Sequence, residues 1–589
     1  MESLSLQTGA GHDRAEWEEL AAGVLRRSDR LADDAPASDV WDALTRRTLD
    51  GIGVPPLGTP ELQASLTTHG RPARAGDWDV RGLFADPDAG ATASAISNEL
   101  DTGVTSVWLR LGDHGIGMDD LATVLTGVLL DIAPVVLDAP EDQLAAAQAF
   151  AGLAKGVPLA EGTNLGIDPV GAVLRTGADL PDADTVQRTI EDAAGLARQV
   201  GARAFVVDAT VVHDLGASDG QELGYAMAVG AAYLRALEAA ELDVARAAGL
   251  LEFRLAATDE QFCTIAKLRA LRRLWDRVLE LSGVDADGRG LRLHAVTSRP
   301  MMTRHGPWAN LLRTCVAGFA AGVAGADAVT VVPFDTRLGM PDAFSRRLAR
   351  NTSSLLISES HLARVADPAG GSYLVEKLTD DLARAGWAEL GRIEESGGPV
   401  AALDDGSLRE RIARVAEERD RQIARRKRPL TGLSEFPDLH ETLPERRPYP
   451  KGTPAVRPYG HAFEAMRDEP AEQPVFLATM GPVADHTARA TFAANLFAAG
   501  GTDVVNEGAH EDTDAVLGHY RGEAVACLTG SDEAYDAWGT GLANALREAG
   551  ARWVVVAGQP LEGTDDSCAT GVDAVAFLTR IRSTLEHAT

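Results

Sequence analysis

The chain has 589 residues, 45% hydrophobic and 24% charged, which is enough for several folded domains with buried cores. Its 56 basic and 87 acidic residues give a net charge of −31, which argues against a protein that follows nucleic-acid phosphates or docks on an anionic membrane. The four cysteines are far apart, and neither a C-x-x-C pair, an apolar signal segment nor an apolar run of about 18 residues occurs. We therefore expect a cytoplasmic protein with reduced thiols, no membrane span and no metal site.

Residues 1–64 are predicted to form an arm, not a domain. The piece 16–32 has the spacing of a short amphipathic helix, and a turn-rich stretch follows it. The apolar positions of this predicted helix are Leu20, Val24, Leu25 and Leu31. Because too few apolar residues are present for an independent core, we expect this arm to pack on a partner or on the rest of the chain.

From about residue 75 to 335, short apolar runs alternate with helical stretches rich in alanine and leucine. Alternating strands and helices imply parallel pairing through right-handed crossovers, and eight units over this length match a (β/α)8 barrel. The fold class is therefore α/β, with a barrel domain at 65–428, although an open doubly wound sheet has the same periodicity. The predicted strands are 78–82, 106–109, 134–137, 164–167, 204–207, 250–255, 291–295 and 328–332.

A linker and a second α/β domain are predicted after the barrel. Residues 429–474 contain nine prolines and little periodicity, which is typical of a linker. In 475–589, five more predicted strands alternate with helices, as in a flavodoxin-like doubly wound domain. These strands are 475–478, 503–505, 524–528, 553–557 and 574–577.

Several stretches are more specific than this periodicity. They are RLARNTSSLLISESHLARVADPAGGS (347–372), AKLRALRRLW (266–275), NLLRTC (310–315) and DPAGGSY (367–373). These segments closely resemble the methylmalonyl-CoA mutase family, and the resemblance extends from about residue 65 to the end of the chain. It implies an adenosylcobalamin-dependent isomerase that interconverts succinyl-CoA and methylmalonyl-CoA. In such an enzyme the barrel would hold the acyl-CoA and the C-terminal domain would hold the corrin.

The chain departs from the family at the expected corrin site. Catalytic members carry Asp-x-His-x-x-Gly there, in which the His ligates cobalt and the Asp orients it. Aligning on Met480 puts Val483 at the Asp, Asp485 at the His and Ala488 at the Gly. His486 lies one position out of register, and it is the remaining candidate cobalt ligand. The alternative for His486 is a polar loop residue near a helix N terminus.

The chain also departs from the family pattern at the expected substrate site in the barrel. Val211 stands at the position of the family's catalytic His, and Leu83 at that of the Tyr that lies over the substrate. Arg81 is kept and is the candidate substrate-binding residue, whereas 162–171 contains no Gln for the substrate. His213, two residues beyond the expected position, is better explained as a structural or solvent-facing residue.

Two sites in two domains have thus lost their key groups, so we predict no catalytic residue in this chain. The resemblance then implies a small (beta) subunit that stabilises or regulates a large (alpha) subunit in a heterodimer. The large subunit would bind adenosylcobalamin, and residues 1–64 would wrap it in preference to their own barrel. One alternative is a catalytic cobalamin-dependent acyl-CoA mutase with altered axial ligation or substrate. Another is a stand-alone binding or regulatory protein.

Overall fold

A computed structural model describes residues 13–64, 66, 69–74, 76–179 and 182–587. The first described segment forms a small helical unit, made of α1 (Arg14–Arg27) and α2 (Val40–Leu44). The Asp13 carboxylate accepts a hydrogen bond from the Glu16 backbone N–H and so caps α1. The unit has its own small core, built from Trp17, Ala21, Ala22, Leu25, Leu31, Ala37, Val40, Trp41 and Leu44.

The next part of the arm packs on the barrel of its own chain. Strands β1 (Arg46–Arg47) and β2 (Gly53–Val54) form an antiparallel hairpin. In its turn, the Asp50 carboxylate accepts hydrogen bonds from the Ser218 hydroxyl (2.5 Å) and the Gly220 N–H (3.2 Å). Gln63 donates to the Gly371 carbonyl, 3.1 Å away. The expectation that the arm is held away from its own barrel is therefore wrong for this part.

Eight parallel strands close into a barrel in the order β10-β3-β4-β5-β6-β7-β8-β9. The closing pairs join Ala328 to Asp79 and Val329 to Val80. This confirms the predicted (β/α)8 barrel and eliminates the open sheet. The strands are β3 (Asp79–Phe84), β4 (Ser106–Arg110), β5 (Val135–Asp138), β6 (Asn164–Ile167), β7 (Arg203–Asp208), β8 (Leu251–Ala257), β9 (Leu293–Thr297) and β10 (Ala328–Thr330).

Helices surround the barrel, and acidic or hydroxyl side chains cap many of them. Asp88, Asp142, Asp182 and Ser218, for example, each accept a hydrogen bond from a backbone N–H in the first turn of the following helix. The helices are α3 (Ala89–Asp101), α4 (Leu121–Val124), α5 (Gln143–Leu153), α6 (Pro169–Thr176), α7 (Ala183–Val200), α8 (Thr210–Asp214), α9 (Asp219–Ala239), α10 (Val244–Gly249), α11 (Gln261–Leu281), α12 (Ala309–Val323) and α13 (Ala343–Ser358).

Four more helices follow the barrel: α14 (Tyr373–Glu395), α15 (Pro399–Asp404), α16 (Ser407–Ala424) and α17 (His461–Asp468). The long helix α14 packs against α9 and α11. Within the segment predicted as a linker, α17 buries Phe463 completely, and the Tyr459 backbone N–H donates to the Pro300 carbonyl at 2.8 Å. The segment is thus a packed connection between barrel and C-terminal sheet.

The C-terminal sheet has five parallel strands in the flavodoxin-like order second, first, third, fourth, fifth. They are β11 (Val475–Thr479), β12 (Val504–Val505), β13 (Val525–Thr529), β14 (Trp553–Ala557) and β15 (Asp566–Cys568). The helices of this domain are α18 (Val483–Ala499), α19 (Thr513–His519), α20 (Asp532–Ala534), α21 (Thr540–Glu548) and α22 (Ala574–Glu586).

The predicted fifth strand of this sheet is wrong. Residues 574–577 begin α22, and the Asp573 carboxylate caps that helix by accepting from the Ala576 N–H. A short apolar run is consistent with either a buried strand or the buried side of a helix, so its periodicity could not decide between them. The true edge strand, β15, has the sequence Asp-Ser-Cys and shows no strand pattern.

Candidate functional site

The barrel interior contains a buried ion pair. The Arg81 guanidinium donates to both carboxylate oxygens of Glu252 at 2.6 and 3.3 Å, and to the Ser106 hydroxyl at 3.0 Å. Because β3 and β8 are not neighbours in the barrel, this pair crosses its interior. Burial acts to raise the pKa of Glu252, but the charges of Arg81 and Arg292 outweigh it and lower that pKa.

A second set of ion pairs lies farther round the barrel. Asp208 pairs with Arg254 at 3.0 Å, and Asp138 pairs with Arg110 at 2.7 Å and with Arg175 at 2.5 Å. Burial opposes ionisation of Asp138, but the arginines hold its pKa well below the ordinary range. These carboxylates are therefore charged and already neutralised by the chain's own arginines.

Aromatic rings pack against the same charges. The Arg254 guanidinium lies over the Trp108 ring at 4.1 Å and donates to His294 Nδ1 at 3.1 Å. Burial, together with nearby Arg81 and Arg254, holds the pKa of His294 well below its ordinary value, so this ring is neutral. His294 Nε2 lies 2.8 Å from the Thr330 hydroxyl. These contacts fill this part of the barrel interior with the chain's own charged and aromatic side chains.

His213 lies at the C-terminal end of the barrel, in a buried polar cluster. Its Nε2 is 2.7 Å from the Ser298 hydroxyl and 3.3 Å from the Tyr459 hydroxyl, and its Nδ1 is 3.5 Å from a Glu222 oxygen. Of the two roles that the sequence left open, the structure supports the structural one, because only 3% of His213 is exposed. Tyr459 comes from the connecting segment and covers the ring.

The other sequence-predicted barrel positions offer no free polar group. Val211 is buried on α8, and Leu83 is a partly exposed apolar residue on β3. Arg81, the candidate substrate-binding residue, is fully buried and committed to Glu252 and Ser106. Arg81 could therefore bind a ligand only if its ion pair with Glu252 were broken.

A charged cluster that sequence reasoning missed joins the arm to the barrel. Lys267 donates to Glu222 at 2.6 Å and pairs with Asp219 at 2.9 Å. Enclosure raises the pKa of Asp50 to about 6, and the nearby Asp219 carboxylate adds to this shift. The signal available in the sequence was that lysine is rare. The chain has only five lysines, and Lys267 lies within a segment that resembles the mutase family.

In the C-terminal domain, the positions aligned with the family's cobalt-binding motif lie on the first turns of α18. Val483, Asp485 and Ala488 are exposed there. His486 is buried instead, and its Nδ1 donates to the Gly481 carbonyl at 3.1 Å. The structure therefore does not bring an imidazole and an orienting carboxylate together at this edge.

The carboxyl edge of the C-terminal sheet, where open α/β sheets bind ligands, is covered by the chain's own groups. The Met480 N–H donates to the Thr529 carbonyl at 2.8 Å and joins β11 to β13 at the switch point. The Tyr535 hydroxyl accepts from the Gly530 N–H at 3.0 Å and donates toward the end of β14. Arg489 lies over the Tyr535 ring at 4.8 Å.

Sequence reasoning also missed a histidine pair beside this edge. His510 is buried, its Nδ1 lies 3.1 Å from the Thr479 carbonyl, and its Nε2 lies 3.1 Å from Nδ1 of His519. Among the described residues, no group of three or more His, Cys, Asp or Glu is arranged to hold a metal ion. None of the described helices combines the length and apolarity needed to cross a bilayer.

Comparison with known proteins places the chain in a family. The methylmalonyl-CoA mutase family model matches residues 100–473. The chain is 45% identical to the methylmalonyl-CoA mutase small subunit of Streptomyces virginiae over 603 aligned residues, which cover 97% of this chain and 96% of that protein. It is 36% identical to the small subunit of Propionibacterium freudenreichii subsp. shermanii, covering 94% and 90%.

Similarity to large subunits is more limited. The Streptomyces virginiae methylmalonyl-CoA mutase large subunit is 36% identical over 226 residues, which cover 38% of this chain and 31% of that protein. The small subunits therefore match along nearly the whole chain, and this large subunit matches along part of it. The chain belongs to the methylmalonyl-CoA mutase family, and these small subunits match it along nearly its whole length.

Proposed function

We propose that this chain is the non-catalytic small subunit of an adenosylcobalamin-dependent methylmalonyl-CoA mutase. It forms a heterodimer with a large subunit, which binds the cofactor and interconverts succinyl-CoA and methylmalonyl-CoA. Its own role is to stabilise or regulate that subunit in the cytoplasm, where its four unpaired cysteines stay reduced. The observation that carries this proposal is the buried pair of Arg81 and Glu252 across the barrel interior.

A substrate threaded along the barrel axis would have to separate such pairs. Breaking a buried ion pair leaves an uncompensated charge in a medium of low dielectric, at a cost of about 3–5 kcal/mol. Arg81 and Glu252 have no exposed side-chain surface, and Arg292 adds a second contact to Glu252 at 3.2 Å. A closed interior of this kind supports a barrel that serves as a scaffold and does not admit an acyl-CoA.

The residues at the expected corrin site do not fit cobalamin. Asp485 offers an exposed carboxylate where an imidazole is required, and Val483 cannot orient a ligand. His486 is turned inward onto the Gly481 carbonyl, and Tyr535 with Arg489 covers the adjacent sheet edge. We therefore assign the cofactor to the large subunit and no step of the reaction to this chain.

The helical unit of α1 and α2 supports the proposed heterodimer. Leu20 is 69% exposed and Val24 is 55% exposed on α1, although both belong to its apolar stripe. The unit's small core is closed without them. We propose that these side chains pack on the large subunit, while Asp50 anchors the following hairpin to this chain's own barrel.

Co-expression with the cognate large subunit tests this function. The heterodimer, each subunit alone, and a mixture of the separate subunits are compared by size-exclusion chromatography and by mutase activity with adenosylcobalamin. We expect a stable complex whose activity depends on the large subunit, and no activity of this chain alone. Activity of this chain alone would support the catalytic alternative, and absence of any complex would support a stand-alone protein.

A further inference from the structure

Helix α12 presents an apolar outer face. The only charged residue in α12 is Arg313, which is buried and donates to Asn310 and to the Thr431 carbonyl. A barrel helix that faces water ordinarily carries polar and charged residues on its outer side. The apolar stripe here instead consists of exposed Trp308, which directly precedes α12, of exposed Leu312 and Cys315, and of half-buried Leu311, Val316 and Phe319.

Aromatic residues from the neighbouring elements extend this face. Phe262 is 49% exposed at the start of α11, and Phe344 is 41% exposed at the start of α13. Trp308 itself is 52% exposed while its ring stacks on Phe334, with centroids 4.7 Å apart. An exposed indole that is already fixed by stacking loses little conformational freedom when a partner covers it. We call Phe262, Trp308, Leu312, Cys315 and Phe344 the α12 surface.

The charge of helices α12 and α13 is opposite to that of the chain as a whole. Helices α12 and α13 contain four arginines and no acidic residue, in a chain of net charge −31. Arg313 is buried, and Arg350 pairs with Glu99 at 2.7 Å. Arg346 and Arg347 form no ion pair with any described residue, and the Arg347 guanidinium lies 5.4 Å from the Phe344 ring centre. The α12 surface is therefore apolar, with Arg346 and Arg347 on its α13 side and the partly exposed carboxylates of Asp259, Glu260 and Asp342 beside Phe262 and Phe344.

We propose that the α12 surface docks the large subunit, through an apolar patch that is acidic where it meets Arg346 and Arg347 of α13. This inference rests on the proposed function and names the contact that it requires. Complementary charge at the border favours such a partner. A second copy would instead bring together two chains that each carry a net charge of −31.

The arm lies next to this surface, so the same partner can contact both. Arg46, at the start of the hairpin that follows the α1–α2 unit, pairs at 3.0 Å with Glu260. Glu260 is two residues before Phe262, a member of the α12 surface. The α1–α2 unit therefore leaves the barrel beside the α12 surface, with Leu20 and Val24 exposed.

Two substitutions on the α12 surface and one matched control test the proposal. Leu312→Glu places a carboxylate at the centre of the α12 surface, and Trp308→Ser removes its fixed aromatic ring. Ile132→Glu is the matched control, because Ile132 is 68% exposed, close to the 69% of Leu312, and lies outside the surface. Affinity for the purified cognate large subunit is measured by biolayer interferometry, and folding of each variant is checked by circular dichroism and thermal unfolding.

We expect each α12-surface variant to bind at least about 30-fold more weakly than wild type, and the control to bind within about twofold. Wild-type affinity in Leu312→Glu and Trp308→Ser would overturn this inference and leave the heterodimer intact. If the wild-type chain does not bind the large subunit at all, both this inference and the proposed function are overturned. If the wild-type chain forms dimers and Leu312→Glu dissociates them, a second copy covers the α12 surface. That result would also overturn the inference.

Discussion

Arg81 on β3 and Glu252 on β8 face each other across the barrel interior, joined by hydrogen bonds of 2.6 and 3.3 Å. Neither side chain has any exposed surface. Bidentate pairing satisfies both carboxylate oxygens and holds the guanidinium plane in place. An ion pair consequently occupies the interior of this barrel, and removing either charge would leave the other buried without its partner.

Removing Glu252 should destabilise the whole barrel. In Glu252→Ala, Arg81 and Arg292 lose their shared partner, and we expect the free energy of unfolding to fall by about 3–5 kcal/mol. Urea unfolding followed by tryptophan fluorescence measures this loss. Glu394→Ala is the control, because its pair with Arg235 lies at the surface and should contribute less than about 1 kcal/mol. Equal losses in the two variants would contradict this account.

Docking of the arm should depend on pH through Asp50. Its pKa is raised to about 6, first by enclosure and then by Asp219, so the docked arm binds a proton more tightly than the released arm. Docking should therefore strengthen as the pH falls through about 6, and the gain is complete only below the ordinary pKa near 3.8. Proteolysis within the arm, normalised to an unfolded peptide, should slow between about pH 7.5 and pH 5.5.

Asp50→Asn keeps an acceptor oxygen for Ser218 and Gly220 without the charge. This variant should be cleaved slowly at both pH values. Asp33→Asn, at an exposed position elsewhere in the arm, should keep the wild-type pH dependence. A pH dependence that survives unchanged in Asp50→Asn would rule out Asp50 as its source.

Deleting residues 1–44 removes the α1–α2 unit and spares the Asp50 anchor. The barrel should keep near-normal secondary structure, because the core of this unit is separate from the barrel core. Binding to the large subunit should weaken by at least about tenfold, which corresponds to about 1.4 kcal/mol. Titration calorimetry of truncated and full-length chains measures the difference, and equal affinities would show that the unit makes no contact with the partner.

Restoring the imidazole alone should not create a cobalamin site. In Asp485→His the new ring would stand on an exposed turn of α18 without an orienting carboxylate at Val483. Tyr535 and Arg489 would still cover the sheet edge. Equilibrium dialysis with adenosylcobalamin should find no tight binding to this variant or to wild type. Tight binding by the wild-type chain alone would refute the assignment of the cofactor to the large subunit.

The barrel could be predicted from the sequence because short runs rich in apolar residues alternate with helical stretches from about residue 75 to 335. The edge strand β15 could not, since three residues with no apolar pattern are held there by pairing with β14 alone. The ion pairs of the barrel interior could not be predicted from the sequence either. Arg81 and Glu252 are 171 positions apart, and only the closed barrel shows that their strands face each other.

Departures from the family's site residues could be predicted from the sequence, but the contacts of the neighbouring histidines could not. The resemblance predicts that Val211 and Asp485 stand at positions where catalytic members have histidine. It did not show that His213 would be covered by Tyr459, or that His486 would turn inward onto the Gly481 carbonyl. Such contacts depend on how distant segments pack, which local pattern does not encode.

The cobalamin content of the purified heterodimer decides which subunit binds the cofactor. Complex saturated with adenosylcobalamin and freed of excess is assayed for bound cofactor by its absorbance, beside each subunit alone. We expect one cobalamin per heterodimer, all of it retained by the large subunit when the two are separated, and none bound by this chain. Two cobalamins per heterodimer, or cofactor retained by this chain alone, would contradict that expectation.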